Sequence, residues 1–403
     1  MRNIAIVGGG QAGLLLALGL QNHGYPVTLV NNRHSDEIRN GKVLSSQCLF
    51  HSSLEIEQKL GIKQWDDSCP PIEGIGLKVI DPHNHENSLI SWRARLDNHA
   101  KAVDQRMKFP ALMEHFSLRG GKLVIQEADI DLLEILADEH DLVILAGGKG
   151  EITQQFTTNE LLSTFTQPQR ILSLAYVHGM QPTQDHSQIS FNLLPGAGEY
   201  FVIPALTFSG PCDIMFFEAI PGGPLDCWSD VTTPEQHLAR AKSLLSTYFP
   251  DEYQRAKECE LTDLNATLHG RFTPTVRHPV MTLPSGKLVL GLGDTVVLND
   301  PLTGQGANSA TKASNIYLDA ILAQRDKPFT QEWMNETFEQ YWQYAQYVSE
   351  WTNSLLAPPA PHILSIIGEA QHSPSLSHRI TNAFDNPPDL FPWWRDGKWS
   401  EVI

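Results

Sequence analysis

The sequence predicts an α/β fold: a unit built on a parallel sheet, interleaved with an antiparallel β-sheet domain and followed by C-terminal helices. Three observations predict it. The chain opens on a glycine-punctuated strand–turn–helix, Ile4–Leu20. Its texture becomes β-rich and turn-punctuated from about residue 167. A second strand, Lys287–Gly293, then leads through a proline–glycine loop into another helix from Ser309. The expected boundaries are therefore 1–166 for the first part of the parallel unit, 167–285 for the β-sheet domain, 286–325 for the second part and 326–403 for a helical region.

Ile4–Val7 (IAIV) has the character of a short strand buried on both faces. Gly8, Gly10 and Gly13 follow in G-x-G-x-x-G spacing, with Gln11 and Ala12 among them, and Leu14–Leu20 continues as an apolar helix. Gly8 suits the tight turn, Gly10 lets the backbone approach a pyrophosphate, and Gly13 lets the helix pack closely on its strand. The helix N-terminus offers that pyrophosphate unpaired N–H groups and a partial positive charge. This context assigns a Rossmann-like dinucleotide site, against the alternative of an ordinary glycine-rich turn. Gly24 ends the helix, and Val27–Asn31 supplies the next strand. A dinucleotide fold usually ends that strand in an acidic residue that holds the adenosine ribose. Here Asn31 stands there, with Arg33 two positions on. An amide lacks the charge assistance that strengthens such a hydrogen bond, so loose nucleotide holding is expected.

Gly41–Phe50 runs from polar to apolar into a helix over Ser53–Leu60. Ile72–Ile80 reads as a strand and Asp81–Asn87 as a turn, whose His83 and His85 read as solvated because no third ligand accompanies them. Ala102–Leu118 is a helix ended by Gly120-Gly121, Lys122–Gln126 a strand, and Ile130–Leu136 helical. Asp141–Gly148 is a buried strand whose terminal Gly147 and Gly148 return to the nucleotide. Ile171–His178, Gln188–Leu193, Tyr200–Pro204 and Cys212–Ala219 are separated by Pro/Gly turns, the pattern of an antiparallel sheet. Phe201, Phe208 and Phe216 are its candidate pocket aromatics, and Pro234–Tyr248 is a helix of that domain. After Lys287–Gly293 come Asp294 and the loop Asp300–Asn308 (DPLTGQGAN), which aims a second helix at the same ligand. Gln331–Leu356 and the segment carrying Trp393, Trp394 and Trp399 are aromatic-rich and expected to pack against the other domains.

The formal charge of −17 opposes nucleic acid or anionic membranes as partners. Five scattered cysteines, never spaced CxxC, read as reduced thiols of a cytoplasmic protein with neither a disulfide framework nor a metal site. No apolar run approaches the ~20 residues of a membrane span, and the first one is the nucleotide strand rather than a signal sequence.

Two glycine motifs flanking a β-rich insertion resemble the flavoprotein aromatic hydroxylases, which implies an FAD-binding domain of the aromatic-hydroxylase type. The segments IAIVGGGQAGL, AVDQRMKFPALM, RGGKLV, GLGDTVVLNDPLTGQGAN and SEWTNSLLAPPAP are more closely similar to the styrene and indole monooxygenases, over essentially the whole chain. That resemblance implies reduced FAD as a diffusible cosubstrate, O₂, an NADH-dependent flavin reductase as a transient partner, and a small aromatic substrate, indole or styrene-like. A monomer or homodimer is expected. The central Asp-Gly motif of single-component hydroxylases is missing, since the relevant strand ends Ala146-Gly147-Gly148-Lys149-Gly150, and no second G-x-G-x-x-G serves a nicotinamide nucleotide. The protein is therefore not expected to reduce its own flavin.

The resemblance assigns FAD to Gly8, Gly10, Gln11, Ala12, Gly13, Asn31, Arg33 and Gly147, with Asp294 on the ribityl group and Gly304, Gln305, Gly306, Ala307 and Asn308 along the isoalloxazine edge. Pro301 positions the flavin, and Ser45, Ser46 and Gln47 lie near its reactive face. Ser45, Gln47, Leu49, Ile72, Ile75 and Ala100 are similar to the pocket of the indole branch, although its usual Met is Leu49 here; Phe208 joins them as a wall residue. About 45–100 thus contributes to the substrate pocket. The implied reaction is epoxidation of the C2–C3 bond of indole, or of a styrene-type alkene, through a flavin C4a-hydroperoxide, with no obligatory general base. The competing readings are a single-component NAD(P)H-dependent aromatic hydroxylase, a flavin-dependent halogenase, whose W-x-W-x-I-P motif is missing, and a non-enzymatic nucleotide-fold module of the GDP-dissociation-inhibitor kind.

Overall fold

The computed structural model describes residues 2–183 and 185–399. The strands in sequence order are β1 (Ile4–Val7), β2 (Val27–Asn31), β3 (Ile72–Ile80), β4 (Ser88–Ala100), β5 (Lys122–Ile125), β6 (Leu142–Leu145), β7 (Ile171–His178) and β8 (Gln188–Leu194). They continue as β9 (Gly198–Thr207), β10 (Gly210–Ala219), β11 (Glu260–Leu261), β12 (Thr267–Gly270), β13 (Thr275–Val276), β14 (Val280–Thr282), β15 (Leu288–Gly291) and β16 (Val297–Leu298).

The first sheet has the order β14-β15-β6-β1-β2-β5 and is parallel except at the β14 edge. Its central strands β1 and β6 are buried at every residue, as expected of short apolar runs covered on both faces. The helix Gln11–Asn22 packs between the helices Gln105–Leu118 and Gly306–Gln324 against this sheet. Because β1 is central, the turn that follows it opens at the middle of the sheet's C-terminal edge, where open α/β sheets bind ligands.

The second sheet has the order β11-β7-β10-β9-β8-β3-β4, with β12 also on β7. It is antiparallel except for the parallel β3–β8 pair, in which Gly74 lies opposite Gln188. Two differences from the sequence reading follow. The β3–β4 hairpin, drawn from within 1–166, belongs to this sheet, and β4 itself gave no signal because most of its side chains are exposed and lack alternation. The return to the first sheet also precedes residue 286, since β14 pairs with β15, while β13 and β16 form a separate two-stranded sheet. The C-terminal aromatics do pack inward: Trp351, Trp393 and Trp394 share a core with Phe50 and Phe201.

A buried charge network joins the two layers. Asp104 caps the helix Gln105–Leu118 by accepting the Arg106 N–H at 2.9 Å, and its carboxylate also takes the Arg106 guanidinium at 2.7 Å and the Thr207 hydroxyl of β9 at 2.7 Å. Arg106 reaches Asp263 at 2.9 Å with its remaining donors. Arg106 and Asp104 are 2% and 1% exposed, so neither charge has water to fall back on. Among the described residues, no helix is long and apolar enough to cross a membrane, and no group of three or more His, Cys, Asp or Glu is placed to hold a metal. The five cysteines are free, and His83 and His85 lie in the β3–β4 turn. Substituting Arg106→Leu strands the buried Asp104 charge and is expected to cost about 3–5 kcal/mol in urea unfolding. A loss below about 1 kcal/mol would show that Asp104 finds other donors.

Candidate active site

The three motif glycines do separate jobs. Gly8 has φ +119°, and a Cβ there would lie 2.1 Å from the Ala146 carbonyl oxygen. A Cβ on Gly13 would lie 1.9 Å from the Gly8 oxygen, whereas one on Gly10 would meet nothing within 4 Å. Thus Gly8 and Gly13 allow strand, turn and helix to close up, and Gly10 leaves an open cradle. Asn31, expected at the adenosine ribose, is held here by backbone groups. Its Oδ1 accepts the Gly9 N–H at 3.0 Å and its Nδ2 donates to the Arg33 carbonyl at 2.7 Å. An aspartate could accept but not donate here. Asn31 therefore braces the glycine loop and does not line the cavity, while Arg33 does.

The cradle opens into a cavity of about 480 Å³ between the two sheets, within the usual range of cofactor and small-molecule sites. Its polar end is lined by Gly10, Gln11, Ala12, Arg33, Ala146, Gly148, Lys149, Asp294, Gly304, Gly306 and Ala307. Two helices, Gln11–Asn22 and Gly306–Gln324, begin there, without a side-chain cap and without an acidic residue in the first turn. The helices that begin at Gln105, Ile130, Pro234, Gln331 and Pro374 are instead capped by Asp104, Asp129, Thr233, Thr330 and Ser373. The uncapped ends leave N–H groups and positive dipole ends facing the cavity. With Arg33, Lys149 and the open Gly10, Gly304 and Gly306 positions, where a Cβ would meet nothing within 4 Å, this end fits a dinucleotide with an anionic pyrophosphate. Burial holds the Asp294 carboxyl above its ordinary range, opposed by Lys149 and Arg277.

The other end is apolar and aromatic, lined by Phe109, Ile189, Phe191, Phe201, Ile203, Phe216 and Phe384. Phe191 lies 4.7 Å from Phe201 and 5.4 Å from Phe384 between ring centroids, so the rings form a continuous wall. Ser45, Ser46, Gln47 and Pro301 line the same cavity. Gln47 donates to the Val103 carbonyl and accepts from Gln105 at 3.1 Å. The Tyr176 hydroxyl donates to the Ser45 carbonyl at 2.8 Å, which fixes this segment to β7.

Several expected site residues stand elsewhere. Phe208 lies in the β9–β10 turn, 49% exposed, under the Arg106 guanidinium rather than in the pocket. Leu49, Ile72, Ile75 and Ala100 are buried but do not line the cavity, and the last three sit in the core behind the aromatic wall. Gly147 faces Thr153, and Ala146, Gly148 and Lys149 line the cavity in its place. Gln305 donates to the Phe384 carbonyl at 2.9 Å, and Asn308 accepts the Phe50 N–H at 2.9 Å while donating to the carbonyls of Cys48 and Gly304. Both are clamps behind the wall. The period-2 alternation of Ile189 with Phe191 and of Phe201 with Ile203 was a signal for the pocket face. Phe109 and Phe384 carried none, since each reads as ordinary helix or core.

Residues 1–144 match a family described as "FAD binding domain", and residues 148–255 one described as "Styrene monooxygenase A putative substrate binding domain". Both matches support the styrene monooxygenase family for this chain. The styrene monooxygenase StyA of Pseudomonas fluorescens is 27% identical over 397 residues, covering 96% of this chain and 93% of that one, and StyA of another Pseudomonas matches equally. The fold is shared with a flavoprotein/dehydrogenase from Cytophaga hutchinsonii (TM-score 0.72, 12% identity, covering 100% of this chain and 95% of that one). It is also shared with the flavin-dependent brominase Bmp2 (TM-score 0.67, 12% identity, covering 94% and 92%). By these matches the protein is an FAD-dependent monooxygenase that uses O₂. Asn308→Ala removes the hydrogen bonds to Phe50, Cys48 and Gly304 at once, so a loss of about 2–4 kcal/mol in stability and weaker FAD binding are expected in denaturant and flavin-fluorescence titrations.

Proposed function

We propose that this protein is the oxygenase component of a two-component system, taking reduced FAD from a separate NADH-dependent reductase and epoxidising the C2–C3 bond of indole. The observation that supports the reading is one cavity lined both by the glycine cradle and by the aromatic wall, with Ser45, Ser46, Gln47 and Pro301 in the same lining. The sequence offers no second G-x-G-x-x-G for a nicotinamide nucleotide. When bound, reduced FAD supplies the electrons that activate O₂, one oxygen atom going to the alkene and the other leaving as water.

The protein's own part is placement and exclusion. The Phe191, Phe201 and Phe384 rings keep water from the reacting face and hold a flat substrate against it. Gln47 Oε1 has one lone pair committed to Gln105 and one left for a substrate N–H, which indole has and styrene lacks. A styrene-type alkene is the second reading, supported by the names of the relatives and by the apolar character of the wall.

Purified protein with FAD and indole in air should yield product only when NADH is accompanied by a flavin reductase. Product from NADH alone would refute the two-component reading. Gln47→Val should move the ratio of kcat/KM values from indole towards styrene by about tenfold, the worth of one hydrogen bond. An unchanged ratio would remove Gln47 from the substrate contact.

A further inference from the structure

The turn Pro301–Thr303, which carries Pro301 and Gly304 to the cavity, rests on the inner end of the β-sheet domain through four buried side chains. Glu218 on β10 lies directly opposite Glu199 on β9, and they are 0% and 6% exposed. Two ionised carboxylates side by side in a sheet repel. Glu199 is neutralised by Arg170, whose guanidinium donates to both its oxygens at 2.7 and 2.9 Å. That leaves Glu218, and among the described residues neither of its oxygens meets an N–H or O–H donor. A fully buried carboxylate without a donor is untenable, because desolvation costs it far more than releasing a proton to water returns. Its neighbour is the Asp300 carboxyl, 2% exposed and within hydrogen-bond reach. Asp300 already accepts the Leu302 N–H at 3.2 Å, so it is the acceptor of the pair.

We propose that Glu218 is a positioning residue which, as the neutral acid, donates a hydrogen bond to Asp300 and so clamps the Pro301–Gly304 turn to the β-sheet in its flavin-holding position. The clamp rests on this turn's place in the flavin site. The charged groups that face it are Asp300 on the turn, Glu199 on β9, Arg170 at the start of β7 and Lys149 beyond β6. Burial, with Asp300 and Glu199 beside it, holds Glu218 well above the ordinary carboxyl range. Burial also raises Asp300, while Glu218, Arg170 and Lys149 favour its charge. A group whose pKa is raised in the folded state stabilises at low pH and loses that contribution as pH rises through the raised value. The clamp therefore holds while Glu218 keeps its proton and opens as pH rises through the raised value, when a second charge forms against Asp300.

The test has two independent readouts. Infrared difference spectra of wild type against Glu218→Gln should show a protonated-carboxyl stretch at neutral pH that the substitution removes. Fluorescence titration of FAD should show affinity falling in wild type by up to about tenfold per pH unit on the alkaline side, and a flat profile in Glu218→Gln, whose amide still donates to Asp300. Asp300→Asn should also flatten the profile, which serves if Glu218→Gln folds poorly. An alkaline loss identical in wild type and variants, or a carboxyl band that survives Glu218→Gln, overturns the proposal. Gly304→Val separates the two claims. If it leaves FAD binding intact at neutral pH, the turn is not part of the flavin site, whereas the Glu218 proton is still read by the infrared band.

Discussion

Close approach of backbone to backbone at Gly8 and Gly13 is the constraint from which the site follows. A Cβ at either position would lie near 2 Å from a carbonyl oxygen, at 2.1 Å for Gly8 and 1.9 Å for Gly13. Without side chains there, β1, the turn and the first helix stack tightly enough for the helix to start at the sheet edge. The end of β6 at Ala146 is fixed by the same contact, because the Gly8 turn packs on its carbonyl. Asn31 then ties the loop to the end of β2. The polar half of the cavity is thus set by the ends of three adjacent strands before any ligand arrives.

Legibility in the sequence tracks how local each signal is. The glycine turn, the β-rich middle and the Asp300–Asn308 loop are local patterns, and the structure builds each where its pattern lies. Two helix starts were read where they lie, at Ile130 after the cap Asp129 and at Pro234 after the cap Thr233, whereas the helix read from Ala102 begins at Gln105, after its cap Asp104. What was not legible depends on partners remote in sequence. β4 is a polar strand whose membership in the second sheet is decided by β3 and the helix Pro374–Asn382. Phe384 reaches the cavity only because Trp351 and Phe50 support its ring. Asn31, Gln305 and Asn308 were legible as important polar positions but not as struts, because the donors and acceptors that consume them lie elsewhere in sequence.

Several joints between segments carry buried polar groups where apolar packing would do. Arg106 with Asp104 and Asp263, Arg170 with Glu199, and Lys108 with Glu57 and Gln11 each link segments remote in sequence. Buried ion pairs gain little net stability over apolar replacements, so their value here is directional. Arg106 and Asp104, on and before a helix of the first layer, are satisfied by Thr207 of β9 and by Asp263 in one relative placement of the two layers. The aromatic half of the cavity belongs to the second sheet and the polar half to the first, so a slip between layers would part the reacting groups. Effective reaction geometry tolerates little of that.

Charge presents an opposite problem, and distance resolves it. The protein carries a formal charge of −17, which repels an anionic dinucleotide at long range. At physiological ionic strength that repulsion is screened over a Debye length of about 8 Å. Inside the cradle Arg33, Lys149 and two uncapped helix ends face the cavity, against one carboxyl, Asp294, which burial disfavours as a charge. Each helix end contributes roughly half a unit of positive charge, directed and desolvated, so the local field wins once the ligand enters. The acidic surface therefore limits how fast FAD is captured and does so less at higher salt, while the affinity is set by the neutral glycine backbone and the few cations around it. A site built this way selects its ligand by shape and dipole, which is why so acidic a protein holds an anionic cofactor.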